Sequence, residues 1–214
     1  MTTLTLHLLP PSPNNAKVML AMKLKGLDHE VVEYHGFDGR EALVEATGQP
    51  LTPVLIDGDR KVYDSFAIMR YLDANWPNEP RLFFDTRDEQ RAVETWENFA
   101  RNGLAPALVV ALNAVFSGDD DPAPFATSER LTNELAVRIE TALESSDYLV
   151  GGRISAADLT VATFLAPSVI DPESVPEASP VRAIASRVRL SGRFPRTHAW
   201  ARGILAIGQE QPAV

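Results

Sequence analysis

No cysteine occurs anywhere in the 214 residues. Disulfides, thiolate metal sites and a cysteine nucleophile are all excluded, so any sulfur chemistry must use a thiol brought in by a ligand. Histidine is scarce as well: His7, His29, His35 and His198 show no ligand spacing, and no metal site is expected. Positive charge is in deficit, with 20 basic against 29 acidic residues and a formal net charge of -9. Such a balance works against attraction to phosphates, so nucleic acid is not an expected partner. There is no run of about 18 apolar residues, which predicts no membrane span. The stretch from Met1 to His7 lacks the basic start and apolar core of a secretory signal, so a soluble, cytoplasmic location is the expectation. No internal repeat or low-complexity tract stands out.

What is present suits a folded chain. Hydrophobic residues make up 45% and charged residues 23%, enough for an ordinary core. The length falls between one large domain and two ordinary ones. Thr3–Leu9 alternates like a strand and ends at Pro10-Pro11. Ser12 then suits an N-cap, Pro13 the first helical position and Gly26 the helix end. His29–Tyr34 follows after a short turn as a second strand, and this order favours a parallel pair. Gly39–Thr47 reads as a short helix. Pro53–Asp57, the turn Gly58-Asp59 and Lys61–Tyr63 form a hairpin, after which Asp64-Ser65 opens a helix with Ile68, Tyr71 and Leu72 on one face.

Asn75-Trp76-Pro77-Asn78-Glu79-Pro80 reads as a linker, and the remainder is helical. Thr86–Ser117 has the length of about eight turns, with a kink or break expected at Gly103 and Pro106. Asp119–Pro124 reads as a loop and Ser128–Ser145 as an amphipathic helix. Ser155-Ala156-Ala157-Asp158 has capping-box spacing, flanked by the staple residues Ile154 and Leu159. The apolar run after it predicts a buried helix. Pro180–Leu190 and Phe194–Ile207 are the last two predicted helices. The domain boundaries expected from this pattern are 1–76 and 86–214.

Four segments together resemble the cytosolic glutathione transferases, over nearly the whole chain and with Ser or Asn in place of a Cys. They are Ser12-Pro13-Asn14-Asn15-Ala16-Lys17-Val18, Thr52-Pro53-Val54-Leu55, Asp64-Ser65 through Tyr71-Leu72, and Gly152 through Leu159. Each alone is a weak signal; their order and spacing around a proline-rich linker is a strong one. The resemblance implies an α/β thioredoxin-like N-terminal domain followed by an all-α C-terminal helical domain. It implies a transferase that joins the thiolate of its co-substrate glutathione to a small hydrophobic electrophile. Isomerase, peroxidase or dehalogenase chemistry on the same site is an alternative, and so is a non-catalytic interaction module on the same fold. A homodimer is the implied assembly, and the loop Thr47–Thr52 offers no aromatic residue to insert into a partner.

The resemblance also distributes roles. Ser65 would bind the γ-glutamyl carboxylate and Asp64 the ammonium, although most members have Glu or Gln at the latter position. A cis peptide before Pro53 would present the Thr52 backbone to the cysteinyl part, and Gln49 is a further contact in a loop longer than the family's common pattern. Ser12, Asn14 and Asn15 are the candidate thiolate donors at the start of the first helix, with the choice among them open. Arg40 is a candidate for the glycyl carboxylate, His35 is similarly placed, and Arg101, Asn102 and Pro106 would line the second-substrate pocket. Ser155 and Asp158 read as structural.

Overall fold

The computed structural model describes residues 3–78, 80–118 and 120–209; Glu79 of the predicted linker and Asp119 of the predicted loop lie outside them. The chain forms two compact units, Met1–Phe84 and Asp85–Val214.

The first unit is built from β1 (Leu4–Leu8), α1 (Pro13–Leu24), β2 (His29–Glu33), α2 (Gly36–Thr47), β3 (Val54–Asp57), β4 (Arg60–Tyr63) and α3 (Ser65–Asn75). Its sheet has the order β2-β1-β3-β4. β1 pairs parallel with β2 and antiparallel with β3, and β3 pairs antiparallel with β4. The short helical return from β1 to β2 is what makes that first pair parallel. Leu6, Leu8, Val18, Met22, Val54, Leu55, Ile68, Met69 and Leu72 are buried in its core, where α1 packs against α3. This is the thioredoxin-like arrangement. α2 starts three residues earlier than the sequence pattern predicts, because Gly36 adopts φ 68 and lets the chain turn into the helix there.

One carboxylate ties the end of α3 to the chain that follows it. Asp73 accepts hydrogen bonds from Lys25 Nζ at 3.0 Å, Arg81 Nε at 3.0 Å, and the amides of Leu82 at 2.7 Å and Phe83 at 3.3 Å. Burial raises its pKa, but the Leu82 amide, Lys25 and Arg81 outweigh that and hold it below the ordinary carboxylate value.

The second unit is helical: α4 (Arg87–Phe99), a π-helical turn (Ala100–Leu104), α5 (Ala105–Ser117), α6 (Pro122–Ala142), α7 (Ala156–Val169), α8 (Pro180–Ala185) and α9 (Pro195–Ala206). Of the kink or break expected at Gly103 and Pro106, the break does not occur: the helix runs continuously over Arg87–Ser117, with a π turn at Ala100–Leu104. Pro106 has no N–H and its ring crowds the carbonyl four residues back. The wider π turn absorbs that conflict, with the Ala105 amide reaching back to the Ala100 carbonyl. Gly103 instead allows close packing, since a Cβ there would meet a Leu135 methyl of α6 at 3.0 Å. The helix includes an 18-residue window of mean hydropathy 1.4, long and apolar enough by composition to cross a membrane, and 28% of that window is buried. Polar interruptions hide this in a search for unbroken apolar runs; core helices of soluble proteins pass the same test.

Two further boundaries move. α6 begins at Pro122 rather than at Ser128, because a helix tolerates proline in its first turn and Asp121 caps it through the Ala123 amide. α8 ends at Ala185, five residues short of the prediction. Its continuation is diverted into tertiary bonds: the Arg189, Leu190 and Ser191 amides donate to Glu129, Ser168 and Asn133.

α7 lies at the centre of the unit and is apolar on all sides. Its N-terminus is closed by Asp158, which is fully buried. The carboxylate accepts from the Ser155 amide (2.9 Å), Ser155 Oγ (2.8 Å), the Leu149 amide (2.9 Å) and Trp200 Nε1 (3.1 Å). Burial pushes its pKa above the ordinary value against the pull of those donors. One side chain thus joins the 149–155 loop, α7 and α9.

Two predictions follow from these carboxylates. Asp158→Ala leaves four donors without their acceptor inside the core and should cost on the order of 3 kcal/mol or more, read as a lower urea midpoint. For Asp73 the folded pKa lies below the unfolded one, so its stabilisation is present above the unfolded pKa of about 3.9 and is lost as pH falls through the folded value. Denaturation midpoints measured from pH 5 down to pH 2 should fall more steeply for the wild-type chain than for Asp73→Asn.

Candidate functional site

Three loops of the first unit carry the residues singled out from the sequence: the turn after β1, the loop before β3 and the turn between β4 and α3. Hydrogen bonds join them. The Leu9 amide donates to Thr52 Oγ1 at 3.1 Å, connecting the first loop to the second. Ser65 Oγ donates to Asn14 Oδ1 at 3.2 Å, connecting the third to the first. Both Thr52–Pro53 and Pro10–Pro11 are cis.

The start of α1 separates the three donor candidates. Ser12 is the N-cap residue by backbone conformation, and its carbonyl accepts the Ala16 amide at 3.1 Å. Its hydroxyl makes no capping bond, which corrects the expectation that the side chain closes the helix. It is partly exposed. Asn14 is also partly exposed, and because its carbonyl oxygen is taken by Ser65, its amide nitrogen faces away from that bond. Asn15 differs from both. It is 4% exposed, and its Nδ2 donates to the Leu9 carbonyl at 3.2 Å. Its Oδ1 is buried without a hydrogen bond. Asn15 therefore braces the loop between β1 and α1, while Ser12 and Asn14 are partly exposed.

At α3 the capping residue is Asp64, not Ser65. Asp64 Oδ1 accepts from the amides of Phe66 at 2.9 Å and Ala67 at 3.3 Å. To do so it adopts φ 69, the only positive φ among the described non-glycine residues. Such a conformation costs a side chain energy and is characteristic of binding loops. Two of the helix-terminal N–H groups are thereby occupied, which leaves the hydroxyl and amide of Ser65 at the helix start. Ser65 itself is 5% exposed.

The remaining candidates fall into place around the second loop. Arg40 Nη1 donates to the Pro50 carbonyl at 2.9 Å, so it braces the loop instead of extending freely into solvent. Gln49 is held by its backbone, which exchanges bonds with Thr47 Oγ1 on both sides. His35 precedes α2 and lies 3.5 Å from Glu33, with both side chains largely exposed. Arg101, Asn102 and Pro106 belong to the second unit, in and just after the π turn, and are exposed.

Two features carried no sequence signal. Lys17 is completely buried, with its ammonium 3.4 Å from the centre of the Phe66 ring. His7 is buried on β1, stacked on Tyr34 and 2.8 Å from its hydroxyl. Burial first and the nearby Lys61 charge second lower the His7 pKa.

With this geometry in place, the relatives are informative. A family model described as glutathione S-transferase, N-terminal domain, matches residues 6–80. Glutathione S-transferase F10 of Arabidopsis thaliana is 31% identical over 165 residues, which cover 72% of this chain and 76% of that protein. Glutathione S-transferase U12 of the same plant is 29% identical over 167 residues, and the match spans 75% of this chain but only 64% of that relative's length. Among solved structures, a glutathione transferase from Phanerochaete chrysosporium with oxidized glutathione superposes with a TM-score of 0.76 at 18% identity, covering 99% of this chain and 91% of that one. A glutathione S-transferase from Methylobacillus flagellatus with glutathione bound gives 0.76 at 22% identity, with 97% and 98% covered. The chain belongs to the glutathione S-transferase family of enzymes.

Proposed function

We propose that the chain is a glutathione transferase: the thiolate of bound glutathione attacks a small apolar electrophile, a carbon–sulfur bond forms, and the leaving group departs or the electrophilic double bond takes a proton. The observation that carries this reading is the hydrogen bond from Ser65 to Asn14. It couples the turn that would grip the γ-glutamyl end to the helix start that would hold the sulfur. In this reading Ser65 binds the γ-glutamyl carboxylate, Asp64 offers its negative charge to the ammonium, and the backbone of Thr52, next to the cis Pro53, pairs with the cysteinyl unit as an added strand would. Gln49 and Arg40 act mainly by shaping that loop, and the other guanidinium nitrogens of Arg40 are the candidate donors to the glycyl carboxylate.

Stabilising the thiolate needs a hydrogen-bond donor and the positive end of a helix. A free thiol with a pKa of about 8.5 is mostly protonated at neutral pH, and a shift of about two units makes the anion the major form. Ser12 has an unused hydroxyl, and Asn14 has an amide nitrogen turned away from Ser65, so these two are the donors of choice; Asn15 is committed to Leu9. A homodimer and a cytoplasmic setting complete the reading; Leu51, 71% exposed, supplies an aliphatic contact in a loop without aromatics. Isomerase, peroxidase or dehalogenase activity would use the same thiolate, whereas a purely structural module would bind no glutathione.

Two measurements test this. Glutathione titrated into the purified protein should bind saturably, and Ser65→Ala should weaken it by about 1.5–3 kcal/mol; affinity unchanged in the variant removes Ser65 from the site. The absorbance of the bound thiolate followed against pH should move upward most in Ser12→Ala, less in Asn14→Ala and least in Asn15→Ala. A titration that moves only in Asn14→Ala assigns the donor to the amide instead.

A further inference from the structure

The second unit has a cavity of its own, about 310 Å³ in volume, where the end of α6 meets the start of α9. Leu143, Ser146 and Asp147 line it from the end of α6 and the turn that follows. Arg196, Ala199 and Trp200 line it from α9, where their spacing of three and four residues puts them on one face. None of these residues is among those assigned to glutathione.

The walls are fixed without a ligand. Glu140 of α6 accepts from the amides of Arg196 at 3.1 Å and Thr197 at 2.8 Å and from Thr197 Oγ1 at 2.7 Å, which fastens the start of α9. Ser146 Oγ donates to the Gly151 carbonyl at 3.0 Å and accepts from the Tyr148 amide at 3.2 Å, which closes the turn after α6. The single N–H of the Trp200 indole goes to Asp158, so the side chain offers a ligand ring surface and no donor. Leu143 and Ala199 add aliphatic surface beside it. A volume near the lower end of the range for ligand pockets suits a small occupant.

The two charges bordering the cavity have opposite sign and do not pair with each other. Arg196 has its Nη1 3.8 Å from Glu140 Oε1, too far for a hydrogen bond, and its side chain is 55% exposed. Asp147 is exposed and its carboxylate has no partner among the described residues. Apolar surface flanked by one free anion and one loosely held cation matches a molecule with a flat apolar body, an ammonium and a carboxylate. We propose that this cavity is a ligand site for a small zwitterion of that class, an aromatic amino acid: the ring lies against Trp200 and Leu143, the carboxylate on Arg196 and the ammonium on Asp147.

The test titrates phenylalanine, N-acetylphenylalanine, which lacks the ammonium, and phenethylamine, which lacks the carboxylate, into the full chain. Binding is followed by saturation-transfer NMR, and thermal unfolding is measured alongside. Phenylalanine should bind saturably with a Kd on the order of 1 mM, ordinary for a ligand of its size. Each analogue should bind roughly three- to fivefold more weakly, the modest factor that ion pairs at an exposed rim give. Saturating phenylalanine should raise the thermal midpoint, because it binds the folded state. D147N should abolish the preference over N-acetylphenylalanine and R196Q the preference over phenethylamine, with each variant keeping the other preference. A199F, which fills the cavity from an exposed position, should bind none of the three. Absence of saturable binding overturns the proposal, and so does phenylalanine binding no tighter than either analogue. Wild-type affinity in a folded A199F overturns it as well. Should A199F fail to fold, an unchanged preference in either D147N or R196Q overturns it, and loss of the matching preference in both supports it.

Discussion

Ser65 and Asn14 are 51 residues apart in the chain and meet in a single hydrogen bond. That bond requires the whole first unit to be in place. The parallel β1–β2 pair sets where α1 starts, the β3–β4 hairpin sets where α3 starts, and packing of α1 against α3 brings both N-termini to one end. Neither residue has an unusual local environment by itself. Joined, they turn two ordinary helix starts into a polar cradle beside the cis Thr52–Pro53 peptide.

Charge follows the same economy of position. Within the described residues, buried carboxylates act as fasteners: Asp73 ties the chain after α3 back to that helix, and Asp158 closes the start of α7 against the loop before it and against Trp200. Both are surrounded by donors, and the balance of burial against those donors differs, so one pKa falls and the other rises. Lys17 is likewise buried, in the first half of α1, with its ammonium over the Phe66 ring. Acidic groups hold the scaffold together.

The functional candidates divide by what their atoms already do. Asn15, Arg40 and Gln49 satisfy the backbone of neighbouring loops. Ser12 and Asn14 retain donor capacity, and Ser65 is joined to Asn14. The three loops are thus braced against one another, with a few polar groups left uncommitted.

Sequence by itself determined the order of elements, because strand alternation, proline and glycine punctuation and the Ser155–Asp158 spacing are local signals. It also determined that any reactive thiol must come from outside the chain, since cysteine is absent. Tertiary structure decided the rest. It carried the long helix past Gly103 and Pro106 through a π turn, since the wider turn relieves the proline conflict and Gly103 packs close on Leu135. It stopped α8 at Ala185, since Glu129, Ser168 and Asn133 claim the amides that would have extended it. It made Asp64 the cap and freed Ser65 to reach Asn14, and it buried Lys17 over Phe66. These are pairings between residues far apart in sequence, and no local propensity encodes them; only the packing of one helix on another brings their atoms within reach.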